Sequence, residues 1–132
     1  MTSKSCNIIL LNDEDQVLLH LRDNKPTIMY PNRWVLPGGY IEEDETPEHC
    51  ILREVKEELG MELSAVSLFV AAQRSYGFEY TFWARASFCL EDIILTEGQA
   101  VRWFTRDEIR SMQLGYEDNV ILEAFFKQES FI

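Results

Sequence analysis

Three glutamates, Glu54, Glu57 and Glu58, stand at i, i+3 and i+4 in a segment whose apolar residues Ile51, Leu52, Val55 and Leu59 recur with helical spacing. At about 100° per residue, that spacing gathers the carboxylates on one side of a helix and the apolar residues on the other. Two unit charges 4 Å apart repel by ~1 kcal/mol in water and ~4 kcal/mol at an effective dielectric of 20. A hard divalent cation turns that repulsion into coordination, and all-oxygen ligation favours magnesium, or manganese, over zinc. The same spacing also fits acids that simply face water. Glu42, Glu43, Asp44, Glu45 and Glu48 lie just upstream, with only Arg53 and Lys56 as cations in the segment from Gly38 to Met61. The wider pattern has to decide.

The elements that would position these groups are legible. Thr46 as N-cap, Pro47 at the first helical position and Gly60 as stop predict a helix over Pro47–Leu59. Apolar runs at Ser5–Leu11 and Gln16–Arg22 flank Asn12–Asp15 and predict a β-hairpin. Pro26 and Pro31 mark a loop, and Trp34–Leu36 a short strand running into a Pro37-Gly38-Gly39 turn. Val66–Tyr76 and Glu79–Leu90, rich in aromatic and β-branched residues, form a second strand pair around Gly77. Glu97-Gly98-Gln99 is a turn before a strand at Ala100–Phe104. Thr105 and Glu108 frame a capping box, and Asn119–Gln128 reads as a terminal amphipathic helix. The order predicts an α+β fold, a mixed sheet covered by helices.

The chain's 132 residues, taken as one domain over 1–132, carry a formal net charge of −11. That charge argues against long nucleic acid and anionic membrane surfaces as partners, since both require Lys/Arg patches. No apolar run approaches the roughly 18 residues that span a bilayer, and the N-terminus lacks a signal-peptide pattern. Cys6, Cys50 and Cys89 are widely spaced, so the expectation is a reduced, cytoplasmic protein.

Gly39, five residues, Glu45, seven residues, then Arg53-Glu54-Val55-Lys56-Glu57-Glu58-Leu59-Gly60-Met61 resembles the Nudix box at every defining position. Val55 and Met61 fill its two aliphatic positions. The resemblance implies a Nudix-type α/β/α sandwich in which Glu54, Glu57, Glu58 and the Gly38 carbonyl hold the catalytic ions. It implies that Arg53 orients a catalytic glutamate and that Glu45 supports the loop–helix junction. Glycine at 39 lets backbone approach a diphosphate closely. Glu97 is a second candidate beside Glu54 for the general base, and Arg22 a candidate phosphate ligand.

The activity implied is metal-dependent hydrolysis of a diphosphate linkage in a small nucleotide by a monomer or homodimer. A nucleoside triphosphate is the expected substrate, by elimination among the family's types. Nucleoside diphosphate sugars and dinucleoside polyphosphates are alternatives. A non-catalytic nucleotide-sensing module is the alternative of another class, and the intact carboxylates argue against it. Phe78 and Asn119 are the candidate base-binding residues, while Tyr30, Tyr76 and Tyr80 fit core packing as well as stacking.

Overall fold

The computed structural model describes residues 3–86 and 88–128. Its strands are β1 (Lys4–Leu11), β2 (Val17–Leu21), β3 (Trp34–Val35), β4 (Gly38–Tyr40), β5 (Ser67–Arg74), β6 (Gly77–Arg85) and β7 (Ala100–Phe104). Its α-helices are α1 (Pro47–Leu59), α2 (Arg106–Arg110) and α3 (Asp118–Phe126).

Alternation along β1 sends Cys6, Ile8 and Leu10 to one face of the sheet and Ile9 and Leu11 to the other. The first face packs on Cys50, Ile51, Val55 and Leu59 of α1. The second packs on Ile109 of α2 and Ile121, Leu122, Phe125 and Phe126 of α3. Each fully buried side chain of this size contributes about 1.5–3 kcal/mol. One helix on one face and two on the other make the α/β/α layers that the resemblance implied.

α1 spans the predicted residues because its ends are capped as read. The Thr46 hydroxyl accepts from the His49 N–H at 3.1 Å, and Gly60 closes the helix at φ 68° with its N–H on the Lys56 carbonyl. The Thr105–Glu108 capping box is formed in both directions.

The sheet has one feature that matters for function. β1 pairs antiparallel with β2 at Leu11 opposite Val17, then the two strands diverge. β1 instead takes β4 and, in parallel, β6 as neighbours, while β2 takes β3 and β7. A cleft opens between the two groups of strands.

Three expectations change. Gly38 and Gly39 are not a turn but lie in β4, because Cys6 and Asn7 of β1 pair with them. β6 ends at Arg85 rather than Leu90, and Leu90–Asp92 form a 3-10 turn; Ser87, inside the longer expected strand, lies outside the described residues. α3 begins at Asp118, one residue before the expected start.

Candidate active site

The cleft between the diverging strands has a volume of about 700 Å3 and is lined by Gly38 and Gly39 of β4, Arg53, Glu54, Glu57 and Glu58 of α1, and Arg22 and Glu97. The structure thus gathers most of the residues singled out from sequence.

Their environments differ in ways that helical spacing did not show. Glu58 does not point to water. It is 6% exposed, and its Oε2 accepts from the Gly38 N–H at 3.1 Å. Burial, with Glu54 and Glu97 adding repulsion, lifts its pKa to about 9. Glu54 lies under Gly39, where an added Cβ would come within 2.4 Å of its carboxyl carbon. Burial raises the Glu54 pKa, and Arg53 opposes that rise. Glu57 is the exposed member of the three.

Arg53 is the hub. Its Nε and one terminal nitrogen grip both oxygens of Glu45 at 2.6 and 2.9 Å. The other terminal nitrogen reaches Glu54 at 2.8 Å and Glu57 at 3.0 Å. The Glu45 carboxyl at the helix entrance, held by Arg53 against the opposing effect of desolvation, titrates down to about 2. A planar guanidinium suits this forked geometry in a way an ammonium does not. Among the described residues, no three His, Cys, Asp or Glu side chains already stand at metal-enclosing distances; Arg53 draws Glu54 and Glu57 to itself.

Arg22 lines the cleft from the end of β2, with its Nε on the Met29 carbonyl at 2.8 Å and its guanidinium over the Tyr116 ring at 5.4 Å. Glu97 faces the acidic end from the β7 side and stands close enough to raise the pKa of both Glu54 and Glu58.

Two expected base-binding residues are elsewhere. Phe78 is absent from the cleft lining; it packs edge-on against Tyr80, and strand alternation turns both away from cleft-lining Glu79. Asn119 is spent on the fold: its Oδ1 accepts from the Leu114 N–H at 2.9 Å and its Nδ2 donates to the Met112 carbonyl at 3.0 Å.

The cleft end remote from α1 is instead built from Asp118, Asn7, Glu79 and Tyr116, which sequence reasoning passed over, together with Tyr30 and Tyr76. Asp118 is 2% exposed; its Oδ2 accepts from the Leu36 N–H at 2.9 Å, while its buried Oδ1 has no partner among the described residues. Asn7 Oδ1 is likewise buried and unpartnered. Glu79 accepts from the Tyr76 hydroxyl at 2.7 Å. Burial raises the pKa of both Asp118 and Glu79. Tyr116 packs between Tyr30 and Tyr76, at centroid distances of 4.7 and 5.1 Å. Tyr30 and Tyr116 both hold left-handed backbone, at φ 50° and 55°, a conformation that costs bulky residues of order 1–3 kcal/mol and persists where surrounding structure fixes it. The available signal was Glu79, a carboxylate inside the otherwise aromatic run GFEYTFWAR.

The sequence profile of the NUDIX domain matches residues 1–125. The chain belongs to the NUDIX family. Among solved structures, this NUDIX chain is similar to a MutT/nudix family protein from Listeria innocua, with a TM-score of 0.82 and 19% identity over 98% of this chain and 94% of that one. The MutT NUDIX hydrolase from Burkholderia pseudomallei gives a TM-score of 0.78 and 23% identity over 93% and 97%. The NUDIX domain of Shewanella oneidensis NrtR, solved with ADP ribose, gives 0.78 and 21% over 97% and 88%. These likenesses establish the fold. The RNA pyrophosphohydrolase of Pseudomonas putida (strain GB-1) is 39% identical over 66 residues, 50% of this chain and 38% of that protein. This NUDIX chain therefore matches well under half the length of that relative.

Proposed function

We propose that the chain hydrolyses a diphosphate linkage in a small nucleotide, with a nucleoside triphosphate as the preferred substrate. The observation that carries this reading is Glu58: a buried carboxyl beside Glu54 and Glu97, pinned by a β4 glycine amide. Carboxylates that line one cleft and repel one another invite a cation. The donors fit a hard divalent ion, magnesium or manganese: Glu54, Glu57, Glu58 and the Gly38 carbonyl supply oxygen alone. Gly39 lets the Glu54 carboxyl pack directly against β4, where any side chain would collide with it. Bound there, such an ion offsets diphosphate charge and stabilises the charge that builds on the transferred phosphoryl group.

The chain's own residues do the rest. Arg53 holds Glu54 and Glu57 in register with α1. Arg22 meets the phosphates from β2. Glu54 or Glu97 accepts the proton of the attacking water. At the far end, Tyr116 and Tyr76 offer a stacking surface. The unpartnered Oδ1 atoms of Asp118 and Asn7 accept base N–H groups.

The relatives act, by their names, on RNA, which offers a second reading: a 5′-terminal triphosphate on RNA. The net charge of −11 disfavours a long polyanion. No helix among the described residues is long and apolar enough to cross a membrane. The free thiols of Cys6, Cys50 and Cys89 accord with a reducing, cytoplasmic setting. The test is phosphate and pyrophosphate release, with magnesium, from nucleoside triphosphates, nucleotide sugars, dinucleoside polyphosphates and triphosphorylated RNA. Fastest release from a nucleoside triphosphate supports the proposal. Release from the RNA alone transfers it to the second reading, and release from none of them overturns both.

A further inference from the structure

The segment carrying Glu97 is tied down on both sides. Towards α1, the Thr96 hydroxyl donates to the Glu57 carbonyl at 2.6 Å and the Thr96 N–H to the Glu58 carbonyl at 3.3 Å. Ile94 adds a bond from its N–H to the Leu59 carbonyl at 3.0 Å. These acceptors belong to the last turn of α1, whose carbonyls have no partner within the helix. Towards β2, the Gln99 N–H donates to the Leu21 carbonyl at 2.8 Å, and its side chain to the Arg22 carbonyl at 2.8 Å and Asn32 Oδ1 at 2.9 Å. Between the anchors, Gly98 has φ +82°, and a Cβ there would meet Nε2 of the buried His20 at 2.2 Å. The peptide after Glu97 therefore has no room to shift inward.

Electrostatics pushes the other way. Glu97 faces Glu54 and Glu58, and its charge raises the pKa of both. An exposed carboxylate on a loop would relieve that repulsion by swinging into water. Of the two bonds Thr96 makes to α1, the hydroxyl bond is the short one.

We infer that Thr96 is a positioning residue for Glu97, its hydroxyl fixing the carboxylate over the Glu54–Glu58 pair by a bond to the carbonyl of Glu57. The same α1 turn then presents two of the ligand-bearing residues and sets the position of the group opposite them. This inference rests on the diphosphate-hydrolase reading.

The test is steady-state kinetics, with magnesium and a nucleoside triphosphate, on Thr96→Val and Thr96→Ser, each in the native and the Glu97→Gln background. Valine keeps the shape and removes the hydroxyl. Thr96→Val is expected to lower kcat by about 10²-fold, the cost of a misplacement of about 1 Å, with KM unchanged. Thr96→Ser, which keeps the hydroxyl, stays within a few-fold of native. In the Glu97→Gln background, Thr96→Val has no further effect. An undiminished kcat in Thr96→Val overturns the inference and leaves the hydrolase reading standing. So does the same loss with and without the Glu97 carboxylate, since Thr96 would then act on α1 alone. A native chain that turns over no diphosphate substrate overturns the hydrolase reading and the inference with it.

Discussion

Glu58 Oε2 accepts a hydrogen bond from the Gly38 N–H at 3.1 Å, joining the acidic face of α1 to β4. The carboxyl's pKa, near 4.5 when unfolded, stands at about 9 in the fold because of burial and of Glu54 and Glu97. Between those two values the native state binds more protons than the unfolded state, so this group's contribution falls as pH rises. In EDTA, the native chain loses stability from about pH 4.5 to about 9. Glu58→Gln keeps an acceptor for Gly38 but cannot ionise, so the slope flattens. At pH 8 the variant is expected to be more stable by about 1–3 kcal/mol, the scale for an uncompensated buried polar group. Thermal midpoints across the window check this, and a variant with the native slope would remove Glu58 as its source.

Magnesium should reverse the loss. A ligand that binds only the native state stabilises by about 2.7 kcal/mol at a hundred times its Kd. Thermal midpoints with and without magnesium should separate for the native chain and converge for the Glu57→Gln, Glu58→Gln double variant. An equal shift in that variant would put the ion elsewhere.

Arg53 grips Glu45 with two nitrogens and reaches Glu54 and Glu57 with a third. Lysine supplies the charge without the fork. Arg53→Lys should cost about 10–100-fold in activity or ion affinity, the usual effect of disturbing groups that orient ligands. Turnover measured against magnesium concentration separates the two; native behaviour in both would deny Arg53 its orienting role.

Base selection should follow Asp118 rather than Asn119. Asp118→Asn keeps the acceptor for Leu36 and puts an amide donor in place of the unpartnered Oδ1, so relative kcat/KM among bases should change. Asn119→Ala loses the bonds to Leu114 and Met112, so it should lower stability by about 1–3 kcal/mol with base preference unchanged. A panel of nucleoside triphosphates and a denaturant melt test both halves. The opposite pattern, preference altered by Asn119→Ala alone, would return base reading to Asn119.

Local signals explain what could be read in advance. α1 was legible to the residue because Thr46, Pro47 and Gly60 are local instructions, and the acids it carries follow from spacing. The burial of Glu58 was not legible, because it depends on where β4 crosses the helix. That crossing is set by Cys6 and Asn7, more than thirty positions upstream of Gly38 and Gly39. A glycine pair after proline has turn chemistry, and only pairing to β1 makes it a strand. The far end of the cleft was hidden for the same reason. Asp118, Glu79 and Asn7 sit on three elements, and no spacing in the chain relates them. Phe78 and Asn119 looked suitable by residue type and position; strand alternation and two loop hydrogen bonds claim them.

The account centres on carboxylates of α1 acting as ion ligands, and one contrast inside the acidic segment tests that most directly. Glu43 is exposed in the loop before α1, whereas Glu58 is buried in the cleft. Each exchanges a carboxyl for an amide of the same shape on replacement by glutamine. The measurement is phosphate and pyrophosphate release, with magnesium, by native, Glu43→Gln and Glu58→Gln chains on the best native substrate. Glu43→Gln should stay within a few-fold of native, and Glu58→Gln should fall by about 10²–10⁴-fold or more, the loss typical of a removed acid–base group. Equal turnover by the two variants would contradict the account.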